Sequence, residues 1–314
     1  MNLTFIYFLK NPDKELLKDE LKFCFHKHVE MKKKILLPTD FSENASRAIS
    51  YALELYKDQK CIFYFLNVFF IKPTDLESLI HMEPGSDFFE ATRKKAQKQL
   101  DQLMNQLAFG KDGNSNHSFQ TISVFNEPLQ AIKQVVEEKD IELIVMGTRG
   151  QTNTQSKIYG STALDVMEKI QTCPVIVVPQ LAKTQMPKEI VFPTGYKTPV
   201  KKRELNYLVN IAKNCEASIK VLHMTSSGTL NDVQSNNKKL LDEYFEDVSH
   251  SFHELGNLSL PDAINCFVQS RESDMVAFVN RKHRFFDSIL NQPLAKGLAY
   301  NSKVPMLVMH DIKS

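Results

Sequence analysis

The chain repeats itself. Ile190-Val191-Phe192-Pro193-Thr194 echoes Leu36-Leu37-Pro38-Thr39, and Leu222-His223-Met224 echoes Leu66-Asn67-Val68. Ala263-Ile264 stands 132 residues after Ala131-Ile132; at the same separation Asp274 answers Glu142 and Arg281 answers Arg149. Val304-Pro305 then answers Cys173-Pro174. Self-similarity at one long period means a folding unit used twice. A length of 314 residues has room for two domains of roughly 150 each.

Within the first copy, short apolar runs alternate with helical patterns. Ile35-Leu36-Leu37 reads as a buried strand ending at Pro38-Thr39-Asp40. Ser42 is a good N-cap for a helix with Ala45, Ala48, Ile49, Ala52 and Leu55 on its inner face. A strand over Cys61–Val68, a long helix from about Phe88 to Leu107 and a strand over Phe119–Phe125 follow. Asn126 is the expected cap of a helix carrying Pro128 in its first turn. The unit closes with a strand over Ile141–Met146, a helix from Ser161 to about Gln171 and a strand over Val175–Val178. Strands apolar on both sides and separated by helices predict a parallel sheet covered on both faces. Residues 1–30 read as an N-terminal extension, with a helix from Pro12-Asp13 through Cys24 and no visible chemistry. The first domain is expected over 31–180, a linker over 181–187, and a shorter second domain over 188–314.

Chemistry concentrates between Ile141 and Ser161. There a strand empties into a loop bearing Gly147 and Gly150, and Gly160-Ser161 opens the next helix. Glycines let a backbone curl around an anion, and a helix N-terminus supplies free N–H donors and positive dipole. Ligands of such sheets sit beyond the carboxyl ends of the strands, and Asp40 ends another strand on the same edge. The second copy drops these residues. Gly195 stands for Asp40, Val279 and Lys282 for Gly147 and Gly150, and Gln292-Pro293 for Gly160-Ser161. Only the first domain is expected to hold a phosphate on main-chain donors.

Other classes are set aside on composition and motif. A net charge of +2 gives no electrostatic ground for nucleic acid or an anionic membrane, and no apolar run reaches the length of a membrane span. Five scattered cysteines without a CxxC pair read as reduced thiols of a cytoplasmic protein. There is no GxxxxGK[ST] and no GxGxxG after the first strand. Neither copy shows a nucleophile–base–orienter set or a metal-ligand cluster. His26 and His28 read as surface residues, and His250 and His253 as solvent-facing or edge residues of a short strand. The cluster Arg281–Phe286 reads equally as an anion or partner site and as a solvated loop.

Gly147-x-x-Gly150, nine intervening residues and Gly160-Ser161 resemble the ATP-binding signature of the universal stress protein family. Pro38-Thr39-Asp40 is similar to that family's adenosine-contacting turn. The resemblance covers nearly all of residues 31–314 as a tandem of two domains. It implies two five-stranded parallel sheets with helices on both faces, of the adenine nucleotide alpha hydrolase-like kind. It also implies a domain–domain pseudo-dimer within the chain, with a homodimer left open. By position, Pro38, Thr39 and Asp40 would meet ribose or adenine, and Val68 would meet adenine through its backbone. Gly147, Thr148, Arg149 and Gly150 would form the near side of the phosphate loop, with Gly160, Ser161 and Thr162 opposite. The implied function is ATP binding, with or without Mg²⁺, by a stress-response sensor or regulator that acts on a protein partner. A slow Mg²⁺-dependent ATPase at the same site and a nucleotide-independent scaffold are the alternatives.

Overall fold

Three consecutive residues with no exposed surface, Ile35, Leu36 and Leu37, need cover on both sides of a strand, and parallel packing between helix layers provides it. The computed structural model describes residues 32–69, 83–109, 114–148, 160–225, 229–256, 258–280 and 303–310. Its first half contains β1 (Lys33–Pro38), α1 (Glu43–Leu55), β2 (Cys61–Phe69), α2 (Asp87–Phe109) and β3 (His117–Phe125). It continues with α3 (Pro128–Lys139), β4 (Leu143–Gly147), α4 (Ser161–Lys169) and β5 (Val175–Val178). The second half contains β6 (Glu189–Thr194), α5 (Lys202–Cys215), β7 (Ser218–Thr225), α6 (Asp232–Tyr244), β8 (His250–Gly256), α7 (Leu260–Arg271), β9 (Met275–Asn280) and β10 (Met306–His310).

All these strands join one sheet in the order β3-β2-β1-β4-β5-β10-β9-β6-β7-β8. Pairing within each half is parallel, as the apolar runs predict. The halves meet edge to edge, antiparallel, through β5 and β10, with Leu307 opposite Ile176. Leu307 is also the repeat counterpart of Ile176, so the join sets a residue against its own equivalent, the mark of a two-fold contact. Neither residue exposes any surface. One core lies beneath α1, α2, α5 and α6, and the other beneath α3, α4 and α7; both run across the seam.

The repeat also shows in backbone details that sequence matching does not reveal. Phe41 and Tyr196, two residues past the corresponding threonines, have φ of 61° and 54°. Asp140 and Glu272, again 132 apart, end α3 and α7 in the left-handed conformation. This is the C-terminal device that glycine usually supplies. Lys34 N–H donates to Glu142 Oε1 at 3.1 Å, and Asp274 Oδ2 accepts Lys188 N–H and Glu189 N–H at 2.8 and 3.0 Å. One expected cap is displaced. Glu127, not Asn126, is the N-cap of α3; Asn126 Oδ1 accepts the N–H of Glu127 instead. Proline at the first helical position has no N–H to offer, which leaves the side chain free to serve the preceding turn. His250 and His253 do lie on an edge strand, but both are half-buried and partnered. His250 bonds Asp242 Oδ1 at 2.8 Å, and His253 bonds Ser251 Oγ at 2.9 Å.

Candidate nucleotide site

The turn after β1 is built by short-range hydrogen bonds. Thr39 N–H donates to Leu66 O at 2.8 Å, prolonging the β1–β2 ladder by one residue. Thr39 Oγ1 accepts Phe41 N–H at 3.0 Å, and Asp40 Oδ1 accepts Ser42 N–H at 3.1 Å. Ser42 Oγ in turn accepts Ala45 N–H and caps α1. From beneath, Asn67 Nδ2 donates to Thr39 O at 2.8 Å. Asp40 is thereby held by its backbone neighbours at the rim of the sheet, half-exposed.

A second wall comes from β4 and α4. Thr148 N–H donates to Val178 O at 3.1 Å, and Gly160 N–H donates to Thr148 O at 2.8 Å, so the two ends of the glycine loop are clamped together. Gly160 is the N-cap of α4 and, having no side chain, makes no capping bond of its own. The chain's own Ser42, Asn231 and Ser259 do cap α1, α6 and α7. The first turn of α4 thus offers main-chain donors that its own N-cap residue does not take up.

Between these walls lies a cleft of about 300 Å³, lined by Pro38, Thr39, Asp40, Val68, Gly147, Thr148, Gly160, Ser161 and Thr162. The sheet edge therefore brings together the expected residues from both ends of the site. Arg149 and Gly150 lie outside the described residues, as do Lys282 and Gln292-Pro293. The remaining lining is mostly apolar: Ala45, Leu66, Pro128, Ile132, Met146 and Ala163. Sequence reasoning missed this wall because it comes from the inner faces of helices and strands already assigned to the core. The cleft thus has an apolar slot beside a polar, donor-rich end. That division suits a ligand with a flat ring system and an anionic tail.

Asn44 is the other missed residue. It is buried and its Nδ2 donates to Thr148 Oγ1 at 3.2 Å. A Cβ on Gly147 would lie 2.8 Å from Asn44 Nδ2 and 3.1 Å from the Asn44 carbonyl carbon. Glycine at 147 therefore admits the start of α1 as well as shaping a loop. Its φ is not in the left-handed region, so close approach, not backbone strain, is the requirement.

The described thiols lie outside the cleft. Burial pushes the Cys61 and Cys173 thiols up to about 12 and the Cys215 thiol up to about 11, which keeps them protonated and unreactive. Cys266 is exposed, and none of these four is in a disulfide. Among the described residues no group of three His, Cys, Asp or Glu is placed to hold a metal ion, and no helix is long and apolar enough to cross a membrane.

With fold and cleft in view, comparison with known proteins gives the class. The chain belongs to the universal stress protein family, whose model matches residues 31–179. Universal stress protein MJ0577 of Methanocaldococcus jannaschii is 30% identical over 157 residues, covering 47% of this chain and 95% of that protein. Universal stress protein YxiE of Bacillus subtilis is 26% identical over 148 residues, covering 46% and 97%. Both similarities span about half of this chain. A solved universal stress protein from Archaeoglobus fulgidus matches the fold over 88% of this chain and 95% of its own, at a TM-score of 0.65 and 18% identity.

Proposed function

We propose that the chain binds one ATP, in the cleft of its first half, and acts as a nucleotide-responsive regulator. The observation that carries this is the convergence on one cleft of Asp40, Val68, Gly147-Thr148 and the uncapped start of α4. Leu66, Ile132 and Met146 would flank the adenine, Asp40 would accept from adenosine donors, and the α4 N-terminus would face the phosphates. Mg²⁺ would enter with the phosphates. Asp40 is the one ionisable side chain among the described lining residues, and it already accepts the Ser42 N–H. That supports binding over turnover.

The division into 31–180 and 188–314 follows the same reading, with 181–187 as the linker. The antiparallel, self-equivalent β5–β10 seam supports a pseudo-dimer formed within one chain. Ligand in the first cleft would bias the chain's contacts with a regulatory protein by its differential affinity for two states. The free thiols support a reducing, cytoplasmic setting.

Isothermal titration is expected to give one ATP per chain. Asp40→Asn keeps an oxygen for the Ser42 N–H but removes the charge, and should weaken ATP at least tenfold without a change in melting temperature. An ATP titration that is silent in the wild-type chain would sink the reading.

A further inference from the structure

The turn that carries Asp40 to the rim of the cleft is strained. Phe41 has φ of 61°, a left-handed conformation that is unfavourable for a bulky residue and persists only where neighbouring bonds fix it. Two of those bonds are made inside the turn, from Phe41 N–H to Thr39 Oγ1 and from Ser42 N–H to Asp40 Oδ1. Two more come from β2: Leu66 O accepts Thr39 N–H, and Asn67 Nδ2 donates to Thr39 O, both at 2.8 Å. A trans peptide is planar, so fixing Thr39 O fixes the plane of the Thr39–Asp40 peptide. With it is fixed the direction in which Asp40 leaves the sheet edge.

Asn67 does this from outside the cleft. Leu66 and Val68 line the cleft, and Asn67, between them on the strand, faces the other side. It is 7% exposed. The second half keeps the bond with a different residue. His223 holds the place of Asn67, its Nδ1 lies 3.0 Å from Thr194 O, and its ring stacks on Tyr196 with centroids 4.6 Å apart. A carbonyl oxygen only accepts, so Nδ1 is the donor, as the Asn67 amide is. Tyr196 is the counterpart of Phe41 and has φ of 54°. In that half α6 adds two further pins, from Gln234 Nε2 to Gly195 O and from Asn237 Nδ2 to Tyr196 O. In the first half the described bonds that reach the turn from outside come from β2.

We infer that Asn67 is a positioning residue of the first cleft: its amide sets the turn that presents Asp40 to the adenosine end of the ligand. The inference rests on the ATP reading of that cleft. Asn67 acts through Thr39 O, and its Nδ2 donates without bringing a charge under the turn.

The test uses the full chain and two variants. Asn67→Leu keeps the size and removes the donor. Asn67→His installs the donor of the second half, with Phe41 placed to receive the ring as Tyr196 receives His223. ATP is titrated and exchange of the Phe41 and Ser42 amides is followed by NMR, at a temperature where melting curves show the variants folded. Asn67→Leu should weaken ATP about tenfold and speed exchange of both amides. Asn67→His should restore both. The decisive comparison is a double-mutant cycle with Asp40→Asn. Once the carboxylate is gone, Asn67→Leu should add less than about threefold to the loss of ATP affinity. Additive losses would overturn the inference, since Asn67 would then act without Asp40. So would wild-type amide exchange in Asn67→Leu, or failure of Asn67→His to restore either readout. A wild-type chain silent to ATP would sink the nucleotide reading, and the amide exchange of the same variants would still decide whether Asn67 sets the turn.

Discussion

The turn after β1 and the turn after β6 share a hydrogen-bond frame built on the same threonine and differ at the residue that follows it. Thr39 Oγ1 accepts Phe41 N–H at 3.0 Å, and Thr194 Oγ1 accepts Tyr196 N–H at 3.2 Å. Thr39 O and Thr194 O each receive a side chain from the neighbouring strand, Asn67 in one half and His223 in the other. Glu142 and Asp274 both tie the start of the fourth strand of their half to the backbone of its first. What differs is the residue at the proposed nucleotide cleft: Asp40 against Gly195, Gly147 against Val279. The bonds that make the unit fold are therefore separable from the groups that give it a site. A duplicated domain can exchange the second set while keeping the first.

The sharpest asymmetry outside the cleft lies near the seam. His310 ends β10 in the place that Pro179 takes after β5. It is 4% exposed and its Nε2 has no hydrogen-bond partner among the described residues. Burial holds the imidazole down to about 4, whereas the unfolded chain returns it to about 6.5. Below 6.5 the unfolded state takes up the proton first. The contribution is thus intact above that pH and is lost as pH falls toward 4, on the order of 3 kcal/mol in total. Urea unfolding at pH 7.5 and pH 4.5 should show that loss in the wild-type chain. His310→Leu, which fills the site without a titratable group, should show a markedly shallower slope. Equal slopes would mean that the ring is protonated, or exposed, in the folded chain.

A second prediction makes the first half imitate the second. Gly147→Val installs the Val279 side chain against Asn44, where even a Cβ would lie 2.8 Å from the amide nitrogen. Overpacking of this kind costs roughly 1–3 kcal/mol, and the displaced start of α1 should remove ATP binding. Adding Asn44→Ala should recover part of the stability, since the amide is the nearest obstacle, but not the binding. If Gly147→Val unfolds at the wild-type denaturant concentration, the close approach of α1 to β4 is wrong.

The architecture was legible because it rests on patterns that survive in one dimension. Buried strands such as Ile35–Leu37 and Ile144–Met146 are apolar throughout, Ser42 announces α1, and the 132-residue spacing reveals the duplication. The candidate cleft was legible in part. Gly147, Thr148, Gly160 and Asp40 stand at strand and helix ends, which topology brings to one edge. Asn44 and Ile132 were not legible as residues of the candidate cleft or its support, because their positions depend on what faces them across space. Asn44 sits on a glycine 103 positions later in the chain, and nothing local marks it. The Asn126 cap was misjudged for a local reason: Pro128 moves the first helical residue and leaves Asn126 to bond Glu127 N–H.

The smallest predicted effect tests whether the matched carboxylates are equal partners in the two-fold plan. Glu142 accepts one backbone N–H, that of Lys34. Asp274 accepts two, from Lys188 and Glu189, while its Oδ1 accepts Gln185 Nε2 at 3.0 Å. The shorter aspartate reaches both amides at the start of β6 and ties the chain just past the linker to β9. Hydrogen bonds to a charged acceptor contribute roughly 1.5–3 kcal/mol when shielded and less where water competes, as at these half-exposed strand starts. Asp274→Ala should therefore cost about 2 kcal/mol and Glu142→Ala about 1 kcal/mol in urea unfolding. Asp274→Asn should recover most of the difference, because one amide oxygen can still accept at the Oδ2 position. Equal costs for the two alanine variants would show that the extra bond adds nothing. The correspondence between the halves would then extend to energetics as well as to position.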